Sequence, residues 1–220
     1  MKRLDTNGFT ITELLIAIAI SSILATVLLA VSMTYYGNVI QNNQTAELGI
    51  ENHYALRAII EDIRLADSIQ ASGVLTDANA PGTGWNTDDG ANVLVIGSPA
   101  TTSDYDVIYD DSTGYPYSNE LIYYVSGNSL NKRIIRNDAA TGNRATTSCP
   151  AAVASSSCPA DRTYSTHITD LSFEFFDELG ASTTDPALAR SVKVTITASR
   201  QSFGKTISYT NSMQTTLRNR

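Results

Sequence analysis

The pattern of apolar and polar positions changes character twice along the chain. Residues 14–33 read LLIAIAISSILATVLLAVSM, and their polar members are Ser21, Ser22, Thr26 and Ser32. At about 1.5 Å per residue, a helix of that length spans roughly 30 Å, one hydrocarbon thickness. Hydroxyls in such a helix can donate back to its carbonyls, so they do not oppose insertion into lipid. Charge is absent from all 33 residues of 14–46. That stretch is too long for a secretory signal sequence, and no A-x-A site directly follows it. From Glu47 the pattern becomes helical and two-sided. Leu48, Ala55, Leu56, Ile59, Ile60, Ile63 and Ala66 recur at helical spacing, while Glu47, Glu51, Arg57, Glu61, Asp62 and Arg64 fill the other face. An amphipathic helix over residues 47–69 is expected.

Helix signals stop near Ser72-Gly73, and a turn-rich stretch runs to Asn92. Beyond it the period falls to two. Short runs at 92–97, 105–109, 120–125, 130–136 and 171–176 read as strands, the last with Leu171, Phe173 and Phe175 on one face. Val192, Val194 and Ile196 alternate with Lys193, Thr195 and Thr197, and the turn at 202–205 leads to a final strand with Ile207 and Tyr209. Gly127-Asn128 marks a second hairpin. The class is α+β: a long N-terminal helix on an antiparallel sheet head.

Composition supports a packed chain: 42% of the 220 residues are hydrophobic and 17% charged. A disordered chain is excluded. The balance of 15 basic to 22 acidic residues, net −7, argues against nucleic acid as a partner. The charges are unevenly laid out. Nine acidic side chains and no basic one fall between Arg64 and Lys132, whereas eleven basic residues face seven acidic ones from Lys132 onward. That polarity would let one subunit's acidic face meet the next one's basic face, and Lys132, Arg133, Arg136 and Arg144 are the candidate basic patch. Lys2 and Arg3 precede the apolar segment and the next basic residue is Arg57, which keeps the N-terminus cytoplasmic and the bulk outside. Glu13 stands at the edge of the apolar run. A carboxylate there needs a partner, and nothing within helical reach is cationic.

The residues around it, Gly8-Phe9-Thr10-Ile11-Thr12-Glu13-Leu14-Leu15, resemble the processing motif of type IV prepilins and pseudopilins: a short basic leader ending in Gly, then Phe, then Glu fifth in the mature chain, then a long apolar helix. The resemblance implies the type IV pilin fold, with a leader at 1–8, an N-terminal helix at 9–70 (transmembrane over 14–33, amphipathic over 47–69) and a β-rich head at 71–220. It implies cleavage after Gly8 by a prepilin peptidase and N-methylation of Phe9. Glu13 would pair with the terminal amine of a neighbouring subunit. The implied partners are other pilins, the peptidase and an inner-membrane assembly platform, and the implied location is the bacterial inner membrane, then a filament. The helix-end RLADSI, the strand pair ELIYYVSGNSLNKRIIRN, the segment ITDLSFEFFDELG and the closing RSVKVTITAS resemble minor pilins of the PilW kind and the J-type pseudopilin of type II secretion. No Pro precedes Pro81, where major pilins commonly carry one midway along the membrane helix. A structural minor pilin is expected, with a J-type pseudopilin or a pilus-borne adhesin or DNA-uptake subunit as alternatives.

Outside the membrane of a bacterium the compartment is oxidising, so Cys149 and Cys158 are expected to form a disulfide. A zinc site would need two further ligands, and His167 is the one nearby in sequence. Asp104, Asp106, Asp110 and Asp111, with Asp88 and Asp89 in the loop before, are a candidate calcium site; solvated loop charge is the competing reading. No other cofactor is expected. Enzyme motifs fail individually. Gly204-Lys205-Thr206 has Ser199 where a phosphate-binding loop needs Gly and sits in a hairpin, and no G-x-S-x-G occurs.

Overall fold

A computed structural model describes residues 10–87, 92–202 and 204–217. Gly8 and Phe9 lie outside the described residues, as do Asp88 and Asp89. The chain divides between Gln44 and Thr45 into two compact units.

Helix α1 (Ile11–Leu65) begins in the first unit and ends in the second. In the first unit its large apolar side chains are exposed from Ile11 through Ile40. Among the described residues it is the helix long and apolar enough to cross a membrane. The hydroxyls of the apolar segment are turned back on the helix. Ser22 Oγ donates to Ala19 O at 2.8 Å, Thr26 Oγ1 to Ser22 O at 2.8 Å and Thr34 Oγ1 to Ala30 O at 2.9 Å.

In the second unit α1 buries the predicted stripe: Leu48, Ala55, Leu56, Ile59, Ile60 and Ile63 are all 5% exposed or less. Asn52 lies on the same stripe and is fully buried, its Nδ2 donating to Ile196 O at 2.9 Å and Tyr209 O at 3.2 Å. The helix stops at Leu65, short of the expected end at 69. Residues 68–70 become strand β1 (Ser68–Gln70), antiparallel to β2 (Val93–Pro99), and Asp67 N donates to Gly97 O at 3.0 Å. Strand pairing competes with the last helical turn there because Gly97 leaves room. A Cβ at that position would collide with Asp67 Oδ1 and Ser68 Oγ.

The strands form two antiparallel sheets. The first runs β1-β2-β3-β4-β5, with β3 (Ser118–Ser126), β4 (Ser129–Ile135) and β5 (Arg162–Ser165). The second runs β7-β6-β8-β9, with β6 (Ile168–Phe176), β7 (Ser182–Thr183), β8 (Ser191–Ser202) and β9 (Lys205–Thr216). The β3–β4 hairpin closes at Ser126 opposite Ser129, with Gly127 at φ 61° as its turn chemistry requires.

The expected strand at 105–109 does not form. Residues 100–117 are a loop with isolated bridges, Thr101 to Val107 and Tyr109 to Pro116. Tyr105 takes a left-handed φ of 69°, which interrupts any extended run.

The main core joins the α1 stripe to Leu94, Ile96, Leu121 and Tyr123 of the first sheet and to Leu171, Val192, Val194 and Ile196 of the second. On the first sheet's other face, Trp85 packs with Val95, Ile122 and Ile135.

Candidate functional site

Glu13 sits at the third position of α1, and the turn that starts the helix supplies its partner. Thr10 precedes the helix. Its Oγ1 accepts from Glu13 N at 3.3 Å, while Glu13 Oε2 accepts from Thr10 N at 2.9 Å and from Thr10 Oγ1 at 2.8 Å. This reciprocal capping box satisfies two of the donors that a helix N-terminus leaves free. The T-x-x-E signature at residues 10–13 carries this arrangement in the sequence, where no nearby cation does. After the box, α1 presents apolar surface on every side, with Leu15 at 61%, Ile23 at 65% and Leu28 at 65% exposure. Surface of that kind calls for lipid or other helices around it.

The head's four candidate basic residues do not form one open patch. Lys132 Nζ is bound to Asp62 Oδ2, and Arg136 Nε lies 3.7 Å from Asp138. Arg144 lies over the Tyr105 ring at 3.8 Å. Arg133 is 1% exposed. Alternation along β4 sends Lys132 toward α1 and Arg133 to the Trp85 side, and both faces of that sheet are covered. Two of the four cations are therefore paired inside the head, while Arg136 and Arg144 stay open to solvent.

Arg133 instead ties three segments together. Its Nη1 donates to Asp77 Oδ2 at 2.8 Å and to Asn79 O at 3.1 Å, and Nη2 donates to Asp161 Oδ2 at 2.7 Å. The guanidinium lies 5.2 Å from the Trp85 ring centre and 5.6 Å from that of Tyr124. Burial pushes the Asp77 carboxyl up, but hydrogen bonds from Trp85, Asn79 and Arg133 outweigh it and leave the group below the usual carboxylate range. Asp161 is lowered in the same balance, burial against donors from Arg133, Ser148 and Tyr124. Glu120, 1% exposed, accepts from Val74 N at 2.6 Å and Leu75 N at 3.0 Å, and burial raises its pKa. These bonds hold the 71–87 segment on the sheet.

Cys149 and Cys158 form the expected disulfide. The loop it closes returns Asp161 to the network: Asp161 N donates to Cys149 O at 2.7 Å, and Ser148 Oγ donates to Asp161 Oδ1 at 2.7 Å. Asp110 closes its own turn, accepting from Ser112 N at 2.9 Å, Ser112 Oγ at 2.7 Å and Thr113 Oγ1 at 3.0 Å, which holds its carboxyl below the usual range. Asp104 and Asp106 donate their backbone N–H groups to Thr102 Oγ1, each at 3.3 Å. Among the described residues no three His, Cys, Asp or Glu side chains form a group that could hold a metal ion, Asp104, Asp106, Asp110 and Asp111 included. His53 is exposed, and His167 Nδ1 lies 3.3 Å from Glu51.

The family model described as the prokaryotic N-terminal methylation motif matches residues 3–29. No curated protein matches the chain. The motif implies processing by a prepilin peptidase and assembly with other pilins, and with the apolar helix it fits membrane anchoring. Motif, long apolar helix and antiparallel head together are consistent with a type IV pilin-like prepilin.

Proposed function

We propose that the protein is a structural minor pilin, inserted with its N-terminus cytoplasmic, cut after Gly8, methylated on Phe9 and packed through α1 into a pilus or the complex that primes one. The observation that carries this reading is the join between the methylation motif and an α1 segment whose apolar side chains are exposed from Ile11 to Ile40. In this role Glu13 pairs with the terminal amine of a neighbour, as in the family. The pair is removed from water, so losing one member strands the other.

The capping box gives the test its controls. Glu13→Gln keeps a side chain that can accept from Thr10 N but removes the charge, whereas Thr10→Ala removes the cap hydroxyl and keeps the charge. Both variants should be processed. Incorporation into sheared fibres should fall by at least about tenfold for Glu13→Gln and stay within about threefold for Thr10→Ala. The opposite ranking would make Glu13 a helix cap and nothing more. The head motifs also suit a J-type pseudopilin; crosslinking from the α1 surface to subunits of a secretion machine rather than a pilus would favour that reading.

A further inference from the structure

A cleft of about 350 Å³ opens on the second unit, walled by Tyr54, Arg57, Glu61, Asp62, Lys132, Arg162 and Tyr164, with Ala58 as its aliphatic contact. A lining so poor in aliphatic carbon does not suit a lipid or an apolar peptide. Its charges are mostly spoken for. Arg57 Nε is 2.8 Å from Glu61 Oε1, and Lys132 is paired with Asp62. Arg162 differs: among the described residues no carboxylate lies within ion-pair distance of it. Its guanidinium is held over the Tyr164 ring at 4.9 Å, and Nη2 is 3.5 Å from Tyr54 Oη. Behind it, Tyr164 packs on Tyr123 with ring centres 6.0 Å apart, and Tyr123 Oη donates to Asp62 Oδ2 at 2.5 Å. The wall is therefore braced through to α1. An arginine held over a ring, with donors left over, is suited to a carboxylate.

We propose that this cleft is a binding site for an acidic saccharide, its carboxylate on Arg162 and a sugar face on Tyr54. Glu61 and Asp62 decide between this ligand and an acidic peptide. Each is already paired, with Arg57 or Lys132, and its second oxygen is left to accept hydrogen bonds from sugar hydroxyls, which the acceptor-only side chains of an acidic peptide cannot donate. One carboxylate on a polyhydroxylated ring matches one guanidinium without a carboxylate partner beside two acceptors and the exposed Tyr54 ring. The α1 residues of the site, Tyr54 to Asp62, all lie in the second unit, beyond the exposed apolar segment.

The test is isothermal titration of the full chain in detergent micelles with digalacturonate and with sialyllactose, against galactobiose and lactose as neutral counterparts and hexa-aspartate as the peptide probe. At least one acidic saccharide should bind saturably and at least about tenfold tighter than its neutral counterpart. Arg162→Gln should weaken it by at least about tenfold, and Arg200→Gln, which alters a pair with Glu47 away from the cleft, should not. Should Arg162→Gln shift the melting temperature, saturation-transfer NMR on the native chain replaces it, reading transfer from tyrosine rings to sugar ring protons. Binding by neither acidic sugar, equal binding of acidic and neutral sugars, tighter binding of hexa-aspartate, an unaffected Arg162→Gln or absent tyrosine transfer would each overturn the assignment.

Discussion

Arg133 joins Asp77, Asn79 and Asp161 in one network, and its removal has a signed consequence. Arg133→Met leaves Asp77 and Asp161, both nearly inaccessible, without their cation, a loss of about 3–5 kcal/mol at neutral pH. Both carboxyls are held below their ordinary range in the native protein, so their stabilisation is present above about pH 4 and is lost as pH falls through the lowered values. The variant weakens this dependence, because burial is then opposed only by the bonds from Trp85 and Asn79 to Asp77 and from Ser148 and Tyr124 to Asp161. Urea unfolding should show a large deficit at pH 7 that shrinks as the pH falls below about 4; a deficit constant with pH would rule the network out as its cause. Neither the burial nor the pairing of Arg133 is visible in NKRIIRN, since alternation says which residues share a face but not that both faces are covered. The α1 stripe was legible because a single period fixed it from Leu48 to Ile63. Asn52, on that stripe, was not: its partners are carbonyls of β8 and β9, more than a hundred residues away.

At the scale of elements, the disulfide loop and the Arg133 network are one device in two chemistries. Closing a loop of about ten residues stabilises by roughly 2–3 kcal/mol through chain entropy. Here it also delivers Asp161 to Arg133 through the Cys149 carbonyl and Ser148. Cys149→Ser with Cys158→Ser should therefore couple to Arg133→Met. In a double-mutant cycle the combined loss should fall short of the sum by at least about 0.5 kcal/mol, because Asp161 can be released once. Strict additivity in urea unfolding would show the clip acting on its own loop alone. Strands with their own signal were readable from sequence: continuous apolar runs for β2 and β3, and alternation or a hairpin turn for β4, β6, β8 and β9. Strands β1, β5 and β7 have three, four and two residues and exist because a neighbour pairs with them, which no local pattern records. The loop at 100–117 misled in the other direction. Its Tyr and Val residues have strand propensity, but turns closed by Thr102 and Asp110 side chains prevail.

For the whole molecule, burial divides by position along the chain. Among the described residues, every buried hydrophobic side chain comes at or after Leu48, while the large apolar side chains from Ile11 to Ile40 are exposed. The exposed apolar surface and the surface that fills the core therefore belong to different stretches of one helix, parted near Gln44 and Thr45. Removing residues before Thr45 deletes no member of the core, and the α1 stripe that fills it is intact from Leu48 onward. A fragment beginning at Thr45 is expected to be water-soluble, to keep the Cys149–Cys158 bond, and to unfold in urea with a free energy within about 1 kcal/mol of the full chain in detergent. The slope of that transition is the sharper measure, since it scales with the area exposed on unfolding. An unchanged slope means that the head's folding does not draw on the apolar segment. A clearly smaller one would mean that residues 10–44 contribute to the cooperative unit, and that folding and assembly share more of α1 than the distribution of burial implies.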